Sequence, residues 1–432
     1  MRSARILALL LIAASAAVSD AQERCSAASM NSILGQIDGA RMKATVERLV
    51  TFGTRHTLSD TQSPTRGIGA ARKWILDEMT RYAAASDGRM TVAFQSSMQQ
   101  SARTGNKPAE VVNVVATIRG TSDPNRVLIA TGHYDSRNTD INDATGDAPG
   151  ADDDASGVAA VMEVARILSQ HPMEATVVLA PVAGEEQGLL GSKGLAEFAV
   201  AQKWDVEGMI TNDIVGGIEG GNGNVDNHTI RIFSANQKGV GDSTSRHFAR
   251  FVRDTARTWL PNVTTRLVYR LDRFGRGGDH IPFFEKGFPA IRFIEPNEQY
   301  RRQHQNVRTE NGLEYGDLAK YVSPEYLRLS ASVNAVTLAA AACAPAPPTN
   351  VKVAGAVSDD TTLTWDASPD PNVAGYELLV RETTADEWEK VIPIGKVATY
   401  TFKNLPIDNV FFGLRAVGAN GSRSPVRTPE ER

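Results

Sequence analysis

Four short apolar runs, each leading to a histidine or an acid, constrain this chain more than any other feature. Runs at 127–131, 176–182 and 208–211 lead to His133-Tyr134-Asp135, Glu185-Glu186 and Asp213, and the run at 290–294 leads through a loop to His304. A fifth run spans 111–118. All have strand length, and helix-patterned segments lie among and beside them. Ser63-Pro64 opens one such segment, with Ile68, Ala71, Ile75, Met79 and Tyr82 on one face. Ser323-Pro324 opens another, with Leu329, Val333, Val336 and Ala340. This alternation predicts an α/β fold with a mixed central β-sheet flanked by helices.

In open α/β sheets, ligands bind beyond the carboxyl ends of the strands, so these groups are expected to converge on one edge. A further cluster, Gly150-Ala151-Asp152-Asp153-Asp154, lies in the loop after His133 and opens a helix whose Val158, Val161, Met162, Ala165 and Leu168 share a face. Alone, each piece has a structural reading: the aspartates cap a helix, Glu185 and Glu186 begin one, and the histidines are satisfied locally. Together, two histidines with four or more carboxylates suit zinc or a similar divalent ion.

The chain ends differently from how it begins. Arg2 and Arg5 precede an apolar run at 6–18, followed by Ser19-Asp20-Ala21, which reads as a signal peptide over 1–21 and an exported protein. The run is too short for a confident membrane span. An exported chain whose only cysteines are Cys25 and Cys343 invites one disulfide between them. A main domain is expected over 22–343, then a proline-rich spacer over 344–350. Short alternating runs over 351–432, with Trp365, Tyr376 and Leu414, predict a small all-β sandwich. A net charge of −4 gives no general attraction for nucleic acid, so function is expected to reside in a site.

Three ordered motifs carry a resemblance: Gly132-His133-Tyr134-Asp135-Ser136, then Gly150 to Gly157, then Gly184-Glu185-Glu186-Gln187-Gly188. With Asp213, Gly278-Asp279-His280, Gly287-Phe288-Pro289-Ala290 and His304, they resemble the M28 family of zinc metallopeptidases, whose fold is of the zinc exopeptidase type. The resemblance implies two co-catalytic zinc ions. His133, Asp153 and Asp213 would hold one, and Asp153, Glu186 and His304 the other. It also implies Glu185 as the general base and Asp135 as the orienting partner of His133. Where some relatives place an oxyanion-binding tyrosine, this chain has Phe274-Gly275-Arg276-Gly277, so Arg276 is a candidate substitute donor, or else a member of a structural or surface ion pair, with Asp279 and His280 beside it. The C-terminal module resembles fibronectin type III, with Val410 at the usual corner tyrosine.

The resulting expectation is a secreted exopeptidase acting on peptides or proteins, and an aminopeptidase first. Arg266, Arg270, Arg273, Arg276, Arg292, Arg301, Arg302 and Arg308 crowd one expected wall of the site, keeping a carboxypeptidase or a preference for acidic residues open. A glutaminyl cyclase using one zinc and a non-catalytic binding ectodomain are the further alternatives. The C-terminal module is read as a spacer or adhesion element.

Overall fold

A computed structural model describes residues 26–236 and 242–429; the expected signal peptide and Cys25 lie outside the described residues. All five expected strands form. They join an eight-stranded sheet built from β1 (Met90–Gln99), β2 (Ala109–Ile118), β3 (Asp123–His133), β4 (Ala175–Val182), β5 (Asp205–Asn212), β6 (Thr229–Phe233), β7 (Thr264–Val268) and β8 (Ala290–Ile294). Their order across the sheet is β1-β2-β4-β3-β5-β8-β6-β7. The central four, β4-β3-β5-β8, run parallel, β1 and β2 pair antiparallel with their neighbours, and β6 pairs antiparallel with β8 and parallel with β7, so the sheet is mixed.

Strand alternation sends side chains into two cores. Val127 and Ile129 of β3, with Val178, Ala180 and Val182 of β4, face one side and meet Leu195, Ala196 and Ala199 of a helix at Leu190–Ala201. Leu128 and Ala130, with Val177 and Leu179, face the other. There they meet helices Gly39–Val50, Gly67–Ala83, Ala155–Leu168 and Pro324–Ala342. Burial on both faces explains why these strands read as continuous apolar runs. The Ala155–Leu168 helix is likewise buried nearly all round, not on one face alone. The helix expected to open at Ser63-Pro64 starts later, at Gly67. Ser63 Oγ accepts the amides of Thr65 and Arg66 at 3.3 and 3.1 Å, closing a local turn, and Gly67 adopts φ +87°.

The C-terminal segment forms two antiparallel three-stranded sheets around Trp365, Tyr376, Leu378, Leu414 and Phe402. Trp365 meets Tyr376 edge-on at 5.8 Å. The proline-rich spacer is covered, with residues 344–348 buried. Arg126 Nη2 donates to the carbonyls of Ala341 and Ala344 at 3.3 and 3.0 Å. Further contacts fasten the sandwich to the main domain. Asp242 accepts from Arg250 at 2.7 Å and from Arg381 of the sandwich. Asp386 accepts from Arg253 at 2.8 Å and from the Tyr269 hydroxyl, while His247 stacks on Trp388 at 5.7 Å. Cys343 ends the last helix of the main domain and carries no free thiol. Among the described residues, no helix is long and apolar enough to cross a membrane.

Candidate metal centre

The four parallel strands deliver their following residues to one edge of the sheet. His133 is the last residue of β3, Glu185 and Glu186 follow β4, Asp213 follows β5 directly, and His304 lies in the loop after β8. Asp153 arrives from the loop before the Ala155–Leu168 helix, at the same edge. Two groups of ligand atoms result, each lying within 4.8 Å of one another: His133, Asp153 and Asp213 form the first, and Asp153, Glu186 and His304 the second. His133 Nε2 stands 3.1 Å from Asp153 Oδ1 and 3.8 Å from Asp213 Oδ1. His304 Nε2 stands 2.9 Å from both Asp153 Oδ2 and Glu186 Oε1. All five sequence-predicted ligand positions therefore come together, and Asp153 belongs to both groups.

His133 Nε2 and Glu186 Oε1 are buried yet make no hydrogen bond. Buried polar atoms without partners are rare in native proteins, and here both face other ligand-type atoms. Electrostatics agree. Burial alone would lower the His304 imidazole, but Glu186 and Asp153 overcome it and push it up to about 10. Such a concentration of carboxylate wants positive charge, and an imidazole-plus-carboxylate donor set fits zinc.

The surroundings fix these ligands. Asp154 lends one carboxylate to three backbone amides, His133 at 2.9 Å, Gly157 at 2.9 Å and Ile214 at 3.2 Å. Asp317 accepts the amides of Asp152 and Asp153, the latter at 2.8 Å. Arg292, fully buried in β8, donates to Asp272 at 2.9 Å and lies 2.9 Å from Asp213 Oδ2. Arg55 ties the loops together through the carbonyls of Tyr134, Pro149 and Gly150 at 2.7, 2.7 and 2.8 Å.

Asp135 sits where expected, with a broader set of contacts. The nearest acceptor to His133 Nδ1 is the Asp135 carbonyl at 3.1 Å, with the carboxylate at 3.5 Å. That carboxylate instead holds the amides of Glu185 and Glu186, at 3.3 and 3.1 Å, and the Thr57 hydroxyl at 3.1 Å. Glu185 opens onto the cavity beside both ligand groups. Burial raises its carboxyl well above the ordinary value; His133 opposes this, and Asp213, Glu186 and Asp279 add to it.

The cavity over the site, about 260 Å³, is lined by Arg276 as expected but not by Asp279 or His280. Both are buried, His280 with Nε2 against the Leu271 carbonyl at 2.6 Å, because a short helix at His280–Glu285 turns them inward. Of the arginines expected to crowd one wall, Arg273 and Arg276 line the cavity. Arg302 and Arg308 pair with Glu219 and Glu310 instead. Two arginines missed by the sequence reading, Arg103 and Arg137, also line it. Arg137 Nε donates to Glu186 Oε2 at 2.9 Å, and Arg103 Nη1 to the Glu186 carbonyl at 2.8 Å.

Comparison with known proteins bears on this geometry. The profile of Peptidase family M28 matches residues 113–322, the span from β2 to just beyond His304. A probable zinc metalloprotease of Leptosphaeria maculans is 46% identical, over 93% of this chain and 96% of its own length. Among solved structures, the LapA aminopeptidase of Legionella pneumophila superposes with a TM-score of 0.53 at 17% identity, covering 72% of each chain. The glutaminyl cyclase of Porphyromonas gingivalis gives 0.51 at 17% identity, over 70% of this chain and 98% of its own. At that identity these two speak for the fold alone. Identity sustained along nearly the whole chain, with the profile lying across the converged ligands, makes this protein a member of peptidase family M28, a zinc metallopeptidase and hydrolase.

Proposed function

We propose that this enzyme is an aminopeptidase working with two zinc ions. His133, Asp153 and Asp213 would hold one and Asp153, Glu186 and His304 the other; the two overlapping ligand groups and their unpartnered buried atoms support that count. When bound, zinc supplies Lewis acidity toward the scissile carbonyl and favours ionised water at neutral pH. Glu185 takes the proton from the attacking water on its carboxylate and passes it to the departing amine nitrogen. Burial favours the protonated form, which suits delivery of the proton to the amine, and the charge of bound zinc would favour the carboxylate that first accepts it. Asp135 positions this base through the Glu185 amide.

The observation that carries the exopeptidase reading is the division of the cavity at Glu185. On one side lies the compartment over the ligands, about 260 Å³; on the other a more open groove of about 360 Å³ runs past Ser101, Ala102 and Leu189. Glu185, Arg103 and Gly277 line both. A substrate with its cleaved bond at Glu185 would place a terminal residue in the enclosed side and the remaining peptide in the groove. Glu185, the carboxylate of that side not assigned to metal, would also accept from a free α-ammonium group, which favours the N-terminus.

We further read the enzyme as exported, from the charge and apolar pattern of its first residues, and its sandwich as a fibronectin type III-like module. The test is a mixed peptide pool containing blocked N-termini, blocked C-termini and N-terminal glutamine, followed by mass spectrometry with and without a chelator. Stepwise, chelator-sensitive loss of first residues from free-amine peptides alone is expected. Loss from the other end would make it a carboxypeptidase, and loss of one ammonia from N-terminal glutamine a cyclase.

A further inference from the structure

We infer that the enclosed compartment selects an acidic residue, glutamate or aspartate, at the substrate's N-terminus, and that Arg276 reads its side chain. The inference rests on the aminopeptidase reading and names its substrate class.

The compartment has no apolar wall. Its lining consists of arginines, the ligand residues, Glu185 and two glycines, with no aliphatic or aromatic side chain among the described residues. A leucine placed there would give up water for polar neighbours, which brings no hydrophobic gain. The positive groups differ in how firmly they are held. Arg137 donates to the Glu186 carboxylate and Arg103 is held at the Glu186 backbone carbonyl, while Arg273 donates to Glu298 at 2.7 Å and lies against Asp272 at 3.1 Å.

Arg276 is the loosely held one. Its hydrogen bond to Gln303 is long, 3.3 Å, and its nearest carboxylate oxygen, Glu298 Oε2, is 3.9 Å away. Glu298 is already shared, taking Arg231 at 2.9 Å on one oxygen and Arg273 and Gln303 on the other. Three guanidinium groups thus gather around Glu298, with Asp272 beside only Arg273 of the three, so the positive charge of Arg276 has no carboxylate of its own. Arg276, 32% exposed, presents it from between Gly275 and Gly277. A guanidinium fork matches a carboxylate bidentately, whereas a neutral amide of the same shape cannot supply the charge.

The experiment compares aminoacyl-p-nitroanilides of glutamate, glutamine, leucine and lysine on the full-length, zinc-loaded enzyme. Glutamate is expected to exceed its isostere glutamine in kcat/KM on the order of tenfold or more, the usual yield of a charge-assisted bond. In Arg276→Gln the ratio should fall toward one, through KM for glutamate, and Arg276→Lys should retain part of it. Disruption of the loop alone would lower all four substrates together and leave the ratio intact, which overturns the assignment. So does a wild-type preference for leucine or glutamine. If instead no free-amine substrate is cleaved while peptides shorten from their C-termini, the aminopeptidase reading itself fails, and the inference with it.

Discussion

His247 should make the junction between sandwich and main domain sensitive to acid. It is 1% exposed, stacks on Trp388, and lies 3.7 Å from Asp242 and 3.4 Å from Arg250 Nη1. Burial lowers its pKa from 6.5 to about 3; Asp242 opposes the shift, and Arg250, Arg381 and Arg427 reinforce it. The unfolded chain therefore binds a proton below pH 6.5 that the folded chain refuses. Stability from this group is complete above that pH and is lost as the pH falls toward the folded value. The slope is about 1.4 kcal/mol per pH unit, which accumulates to roughly 3 kcal/mol near pH 4.5. His247→Phe keeps a ring against Trp388 and removes the titration. Urea unfolding of both proteins near pH 7 and near pH 4.5, followed by tryptophan fluorescence, isolates the term, because all other acid-sensitive groups are common to both. Wild type should lose more stability than the variant by about that amount. Parallel losses in the two proteins would refute the reasoning.

Two further outcomes are expected at the metal centre. Glu185→Gln should retain zinc, measured by elemental mass spectrometry, while turnover drops by roughly 10²- to 10⁴-fold; near-normal turnover removes Glu185 as the base. Asp317→Ala deletes the acceptor that holds the Asp152 and Asp153 amides, and zinc affinity in competition with a chromogenic chelator should weaken by about 10- to 100-fold. Unchanged affinity would show that Asp153 holds its place without that anchor.

The parts of the molecule legible in the sequence are those whose signal is local and whose convergence follows from topology. Apolar runs buried on both faces announced the parallel strands, and a ligand-type residue after each strand pointed to a shared edge. The M28 resemblance then supplied which of the adjacent acids were ligands, since Asp152, Asp153 and Asp154 are indistinguishable by composition. What escaped depends on loops meeting across long stretches of chain. Arg137 and Arg103 reach Glu186 from separate loops, and Asp317 reaches Asp153 from more than 160 positions away. Asp279 and His280 looked like site residues because of the motif around them, yet a six-residue helix turns both into the interior. The Ala-Pro spacer read as an open connection because its composition allows one, and only the packing of the two units against it covers it.

The carboxylate of Asp154 joins the end of one strand, the start of a helix and the residue after Asp213, using backbone groups alone. The corners of the metal site are thereby set by the frame of the protein, as the jaws of a vice are set by its casting. Loading and unloading of metal are then expected to be chemistry between fixed points instead of refolding events.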